Sequence, residues 1–188
     1  FIIIIDHIAI KVLLTIINKY LRFIRKEIMQ MSETFKNNKK SNLSKVISKD
    51  CILLDVEVSD AEEALNLGCE MLVKNGAVTR EYCKLIIDSF HKNGPYFVIA
   101  PHFALSHARN EGNCVKRLAI SFLRLSKPVY FGHPDNDPVN LIITLATPDD
   151  RSHIGTMAEL SEILMNEKNW DILARGTLED VLNLLTNN

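Results

Sequence analysis

Apolar residues recur along this chain with two periods, and turn and cap residues mark the breaks between them. Residues 52–58 alternate in their second half, which predicts a strand. Ser59 comes next, with Glu62 three positions on, and this pair predicts a capping box that opens a helix. Ala61, Ala64, Leu65, Met71 and Leu72 form its apolar stripe, and Asn75-Gly76 ends it. Thr79 opens a second helix, in which Tyr82, Leu85, Ile86 and Phe90 recur at helical spacing. Met71 and Tyr82 read as core. After a Gly94-Pro95 turn, residues 96–100 predict a strand that Pro101 stops, because proline has no N–H to give a ladder. The residues just beyond Pro101 read as a bend. Residues 118–125 predict a strand, 129–131 a shorter one, and 132–135 a turn. Val139 to Thr147 is continuously apolar, so this strand is central and covered on both faces. Pro148 breaks it, Ser152 or Asp150 caps a helix reaching about Asn166, and Thr177 with Asp180 starts a last helix ending near Leu185. Interspersed strands and helices give the fold class: α/β, a mixed β-sheet flanked by helices on both faces.

The beginning of the chain departs from this pattern. Its apolar run is broken by Asp6, His7 and Lys11, and is too short for a span of about twenty apolar residues. Positive charge comes after the apolar run instead of preceding it, unlike a signal peptide. Residues 32–44 are polar and basic and read as a linker, after which a short helix covers 43–48. The expected organisation is an N-terminal helical extension and basic linker, 1–40, and one domain, 41–188. The extension reads either as a poorly preserved helical addition or as an interaction helix that packs on its own domain or on a second copy. The chain opens on Phe1 and not Met, as a fragment or a sequence beginning upstream of its natural start would; Met29 and Met31 are candidate starts.

Charge sharpens this division. Residues 1–50 hold ten Lys/Arg and four Asp/Glu, and 51–188 hold twelve and nineteen, so the net of +6 is offset by −7. An acidic domain argues against nucleic acid as partner. Cys51, Cys69, Cys83 and Cys114 form no C-x-x-C, which weakens zinc and thioredoxin-type readings. Scattered single cysteines suit a reducing cytoplasm, with Cys69 and Cys83 as small hydrophobes within helices.

Candidate chemistry centres on residues 94–109. A strand ending in a loop that carries His107 and Arg109 is a common way to build a site, because the sheet fixes the loop. Imidazole can act as nucleophile, acid or base near neutral pH, and guanidinium offers a planar fork suited to phosphate. Together they suggest chemistry on a phosphoryl group, although His107 taken alone also fits an ordinary surface histidine.

The run from Gly94 to Pro101 and the element Ala104-Leu105-Ser106-His107-Ala108-Arg109 resemble the phosphorylation-site segment of the enzyme IIA components of the bacterial sugar phosphotransferase system. The branch is the mannitol/fructose superfamily, and within it the ascorbate-type IIA proteins. The resemblance continues through Phe122-Leu123-Arg124-Leu125, residues 128–131, Asn136-Asp137-Pro138-Val139 and Leu145-Ala146-Thr147 to Ser152-His153-Ile154, covering roughly residues 42–188. Two departures stand out: Ser106 where the family has proline, and His102 where glycine is usual.

The resemblance implies a cytoplasmic phosphocarrier. His107 would take a phosphoryl group from phospho-HPr and pass it to enzyme IIB, for uptake of a sugar such as L-ascorbate. It implies no metal or cofactor, no nucleic acid, and a membrane only through the IIC permease. His153 would lie beside His107 and stabilise the phosphoryl group, or else merely cap a helix. Arg109 would contact phosphate or hold its loop by a salt bridge. His91, His102 and His133 read as surface residues, and Phe103 and Leu105 as an apolar patch near the ring for HPr. The alternative is a IIA-like regulatory domain of a phosphotransferase-controlled transcription regulator.

Overall fold

The computed structural model describes residues 43–186. The proposed extension, 1–40, lies outside them.

Five strands form one sheet: β1 Ile52–Val56, β2 Val98–Ala100, β3 Phe103–Ser106, β4 Ala119–Val129 and β5 Val139–Ala146, in the spatial order β1-β4-β5-β3-β2. The β1/β4 and β3/β5 pairs are parallel, while β4/β5 and β2/β3 are antiparallel. The sheet is therefore mixed. β5 is its middle strand and is buried apart from Asn140, as its largely apolar composition requires.

Helices are α1 Ala61–Lys74, α2 Arg80–Asn93, α3 Asp150–Leu164, α4 Glu167–Arg175 and α5 Leu178–Thr186. α1 seats its apolar stripe on β4 and β5. The approach is close: a Cβ on Gly68 would stand 2.5 Å from the Thr144 hydroxyl oxygen, and Ser121 Oγ donates to the Gly68 carbonyl at 2.6 Å. Thr144 thus marks the α1 face of β5. Leu141 points to the other face, because side chains alternate along a strand. Its cross-strand neighbour Phe103 meets Trp170 of α4 edge-on at 5.5 Å, so helices cover both faces.

Several local details differ from the sequence expectation. Asp60, not Ser59, caps α1: its carboxylate accepts from Glu63 N–H, and Glu63 in turn accepts from Ser59 N–H. Two overlapping boxes are written in Ser-Asp-Ala-Glu-Glu, and the carboxylate, with more acceptor capacity than a hydroxyl, takes the cap. Asp149 caps α3 in the same way, instead of Asp150 or Ser152, through Ser152 N–H and Oγ. The expected strand 118–125 runs on without a break to Val129 as β4, and residues 130–131 of the expected shorter strand lie beyond it. Pro128 is tolerated because the β4/β5 register shifts between Arg124 and Val129. The bend expected after Pro101 is instead a tight turn at Pro101-His102 leading into β3. His102 adopts φ +64°, the left-handed region that favours glycine. Helix α4 was not expected; Asn166 caps it and Trp170 Nε1 donates to Leu164 O. Residues 43–45 form only a short 3-10 turn. Cys69 and Cys83, expected as small hydrophobes, are joined as a disulfide between α1 and α2 with Cα atoms 5.5 Å apart.

Candidate active site

The site arises from one pairing. β3 and β5 are parallel neighbours, so their carboxyl ends lie at the same edge of the sheet. His107 is the first residue beyond β3. Beyond β5 the chain passes Thr147 and the Asp149 cap, and His153 sits in the first turn of α3. Two histidines far apart in sequence are thereby delivered to one place, with ring centroids 5.4 Å apart and planes inclined at 46°.

His107 is half-buried, and its ring has a defined polarity. Nδ1 lies 3.0 Å from the Leu105 carbonyl. A carbonyl can only accept, so Nδ1 carries the hydrogen, and the neutral ring keeps its lone pair on Nε2. Burial pushes the pKa of His107 below the ordinary histidine value; the Leu105 bond pulls it back up, and the neighbouring His153 pushes it down again. The ring is framed by Phe97 at 5.8 Å and Tyr96 at 6.0 Å, both edge-on. The Tyr96 hydroxyl donates to the His107 carbonyl at 3.3 Å and exchanges a bond with Ser89 Oγ at 2.9 Å.

The Nδ1 of His153 is 3.5 Å from Thr147 Oγ1. Its backbone N–H is already given to Asp149 O, and the Asp149 carboxylate holds Ser152. The helix end is therefore filled by its own cap, and it is the imidazole ring that α3 presents to His107. Arg109 is exposed, and no ion pair joins it to a carboxylate among the described residues. Arg109 lines a cleft of about 650 Å³ with His107, Tyr96, Lys92, Asp88 and Glu111.

The remaining described histidines stand elsewhere. His91 pairs with Glu62, His102 Nδ1 bonds Pro138 O, and His133 Nδ1 accepts from Asp135 and Asn136 N–H within a turn. Phe103 and Leu105 were expected to surface near the ring, but β3 is buried along its whole length. The apolar groups that do reach solvent near the pair are Tyr96 and Ile154, 40% and 51% exposed. Sequence reasoning missed two contributors. Tyr96 was read only as strand, and Tyr82 only as core, although its hydroxyl contacts the backbone at Ala108 and Leu145.

Residues 45–188 match the family described as phosphoenolpyruvate-dependent sugar phosphotransferase system, EIIA 2. The chain belongs to that family. It is an EIIA-type component of a sugar phosphotransferase system. It is 39% identical over 137 residues to the ascorbate-specific EIIA component of Salmonella choleraesuis, covering 71% of this chain and 88% of that protein. The corresponding Escherichia coli K12 protein is equally similar. Among solved structures it is similar to the mannitol-specific cryptic enzyme IIA of Escherichia coli, with TM-score 0.70 and 29% identity over 78% of this chain and 99% of that one. It is also similar to the mannitol IIA of Escherichia coli in its complex with phosphorylated IIB, with TM-score 0.67 and 26% identity over 76% and 100%. The mixed sheet with flanking helices is thus the EIIA fold. Among the described residues no helix is long and apolar enough to cross a membrane.

Proposed function

We propose that this EIIA component takes a phosphoryl group from phospho-HPr on Nε2 of His107 and hands it to an ascorbate-type enzyme IIB in the cytoplasm. The observation that carries the reading is the Nδ1 to Leu105 O bond, which leaves Nε2 as the nucleophilic atom of a ring held neutral by burial. In the forward step a bond forms between Nε2 and phosphorus while the donor's phosphorus–nitrogen bond breaks. The donor imidazole keeps that bonding pair. Little covalent chemistry is asked of the protein, so positioning and charge at the phosphoryl oxygens govern the rate. His153, 5.4 Å away, is the group that supplies charge beside the transferred phosphoryl when protonated. Arg109, unpaired among the described residues and lining the cleft that His107 borders, is a phosphate contact. Tyr96 and Ile154 give the carrier proteins a small apolar patch, which suits a brief encounter.

The ascorbate assignment rests on the relatives at 39% identity, and the IIB acceptor on the mannitol IIA solved with phosphorylated IIB. Incubation with enzyme I, HPr and labelled phosphoenolpyruvate is expected to give an acid-labile, base-stable label that His107→Ala abolishes. Full labelling of that variant would reject His107. Label passing to a mannitol-type IIB faster than to an ascorbate-type IIB would reject the assigned system.

A further inference from the structure

Beneath the histidine pair lies a polar group that phosphoryl transfer at His107 does not use directly. Tyr82 is fully buried in the first turn of α2, with its ring in the core. Its hydroxyl ignores its own helix. Ala108 N–H donates to Oη at 3.1 Å, and Oη is 2.7 Å from Leu145 O and 3.2 Å from Ala108 O. A phenol has one hydrogen to give, so the nearer carbonyl, Leu145, takes it. The result is a relay from Ala108 N–H through Oη to Leu145 O.

The position of this relay in the sheet matters. The β3/β5 ladder ends at Ser106 against Thr144. Had β3 continued, its next residues would have been drawn onto β5 beside Leu145. The hydroxyl instead stands between Ala108 and Leu145 and satisfies both. It ends the strand at the residue before the reactive histidine. It also fixes the carboxyl end of β5, from which the chain runs through Thr147 to His153. Tyr82 cannot easily drift, since the next residue, Cys83, is joined to Cys69 of α1. Burial pushes its phenol pKa up, so the donor proton stays in place at any working pH.

We propose that Tyr82 is a positioning residue for phosphoryl transfer: its hydroxyl wedges the β3 and β5 ends apart and thereby sets the His107–His153 separation and the orientation of Nε2. This rests on the phosphocarrier reading, and it assigns the work to the hydroxyl instead of the ring. A tyrosine serving only as core would tolerate the loss of its oxygen.

The test is Tyr82→Phe in the full chain, read in two ways. Uptake of label from phospho-HPr is expected to fall about tenfold or more in kcat with KM little changed, as a misplacement of reacting groups would give. Imidazole nitrogen NMR without any phosphoryl donor is expected to show His107 as the single Nδ1–H tautomer in the parent and a tautomer mixture in the variant. Parent-like kcat and a parent-like His107 spectrum would overturn the proposal. If the parent itself takes no label while its His107 spectrum changes in the variant, the phosphocarrier reading fails and the wedge stands. Should Tyr82→Phe fail to fold, 3,5-difluorotyrosine at position 82 keeps the ring and alters only the strength of the hydroxyl. It is expected to shift the Ala108 amide resonance and slow uptake, and no change in either would reject the wedge.

Discussion

Two regions of this molecule hold buried polar groups, and they treat them oppositely. On the β1/β4 side of the sheet, Arg124 of β4 is buried and each of its three side-chain nitrogens has a partner. Nε and Nη2 reach the Asp55 carboxylate at 2.8 and 2.9 Å, and Nη1 reaches the carbonyls of Leu173 and Gly176. The cluster ties β1 and β4 to the α4–α5 junction, and it holds Asp55 at φ +57°, a backbone state most side chains avoid. At the β3/β5 edge, His107 has one nitrogen fixed and the other without a partner among the described residues. A buried polar group with every bond made stabilises a shape. One left with a lone pair and a shifted pKa is available for reaction.

Substitutions at the two regions should therefore separate activity from stability. The largest effect expected is at His107: His107→Ala loses phosphoryl uptake entirely and leaves the thermal midpoint near that of the parent. A variant that unfolds instead would move His107 into the structural class. Arg124→Met should do the reverse, costing about 2–4 kcal/mol in urea unfolding by stranding the Leu173 and Gly176 carbonyls, with uptake per folded molecule kept. Equal stability of Arg124→Met and parent would mean that the network is dispensable.

Smaller effects lie within the site. His153→Ala is expected to slow uptake about ten- to a hundredfold and to impair onward transfer to IIB, through loss of charge beside the phosphoryl group. Its pH profile adds a finer test. Burial first, and then His153, hold the folded His107 below the ordinary value of 6.5. The neutral ring therefore persists into mild acid, and the midpoint of uptake should lie below 6.5. Removing His153 should raise that midpoint. The same downward shift means that His107 contributes stability above the unfolded value, which is lost as pH falls from 6.5 through the folded value. A midpoint at or above 6.5 in the parent would contradict the buried setting.

The smallest effect is expected from truncation. Leu43, Val46 and Ile47 are buried, and Ile120 N–H donates to Val46 O, so the domain needs its chain from Leu43 onward. A protein beginning at Ser41 should fold and take up label within about twofold of the full chain, since no described bond of the domain is lost. A folded truncation that takes no label would place the extension in the site.

The sequence disclosed these regions unequally. β5 was legible because the run from Leu141 to Ala146, apolar but for Thr144, has no other home than the middle of a sheet. The α1 stripe was legible from its spacing. β3 was not, since four residues buried on both faces show no alternation, and Pro101 masked the turn at His102. α4 was missed because its one fully buried apolar residue is Leu173. The caps slipped by a residue or more wherever acidic and hydroxyl residues stood side by side. Of the site, His107 was named from its place after a strand and by resemblance, and His153 by resemblance alone; their meeting depends on the parallel pairing of β3 and β5, which no local pattern encodes. Tyr82 and the Cys69–Cys83 link were hidden for the same reason, being matters of which helix lands beside which.

Gly68 has a bearing on how α1 seats on the sheet, although it touches no histidine. The clearance between α1 and β5 there is less than one methyl group, with Thr144 as the opposing surface. Thr144 is the rung before Leu145, where the Tyr82 hydroxyl is seated. Mechanically, helix and strand form a close fit: a single added carbon must either turn the Thr144 hydroxyl aside or push one part off the other. The missing side chain at Gly68 thus works as a gauge that sets how closely the helix sits on the strand.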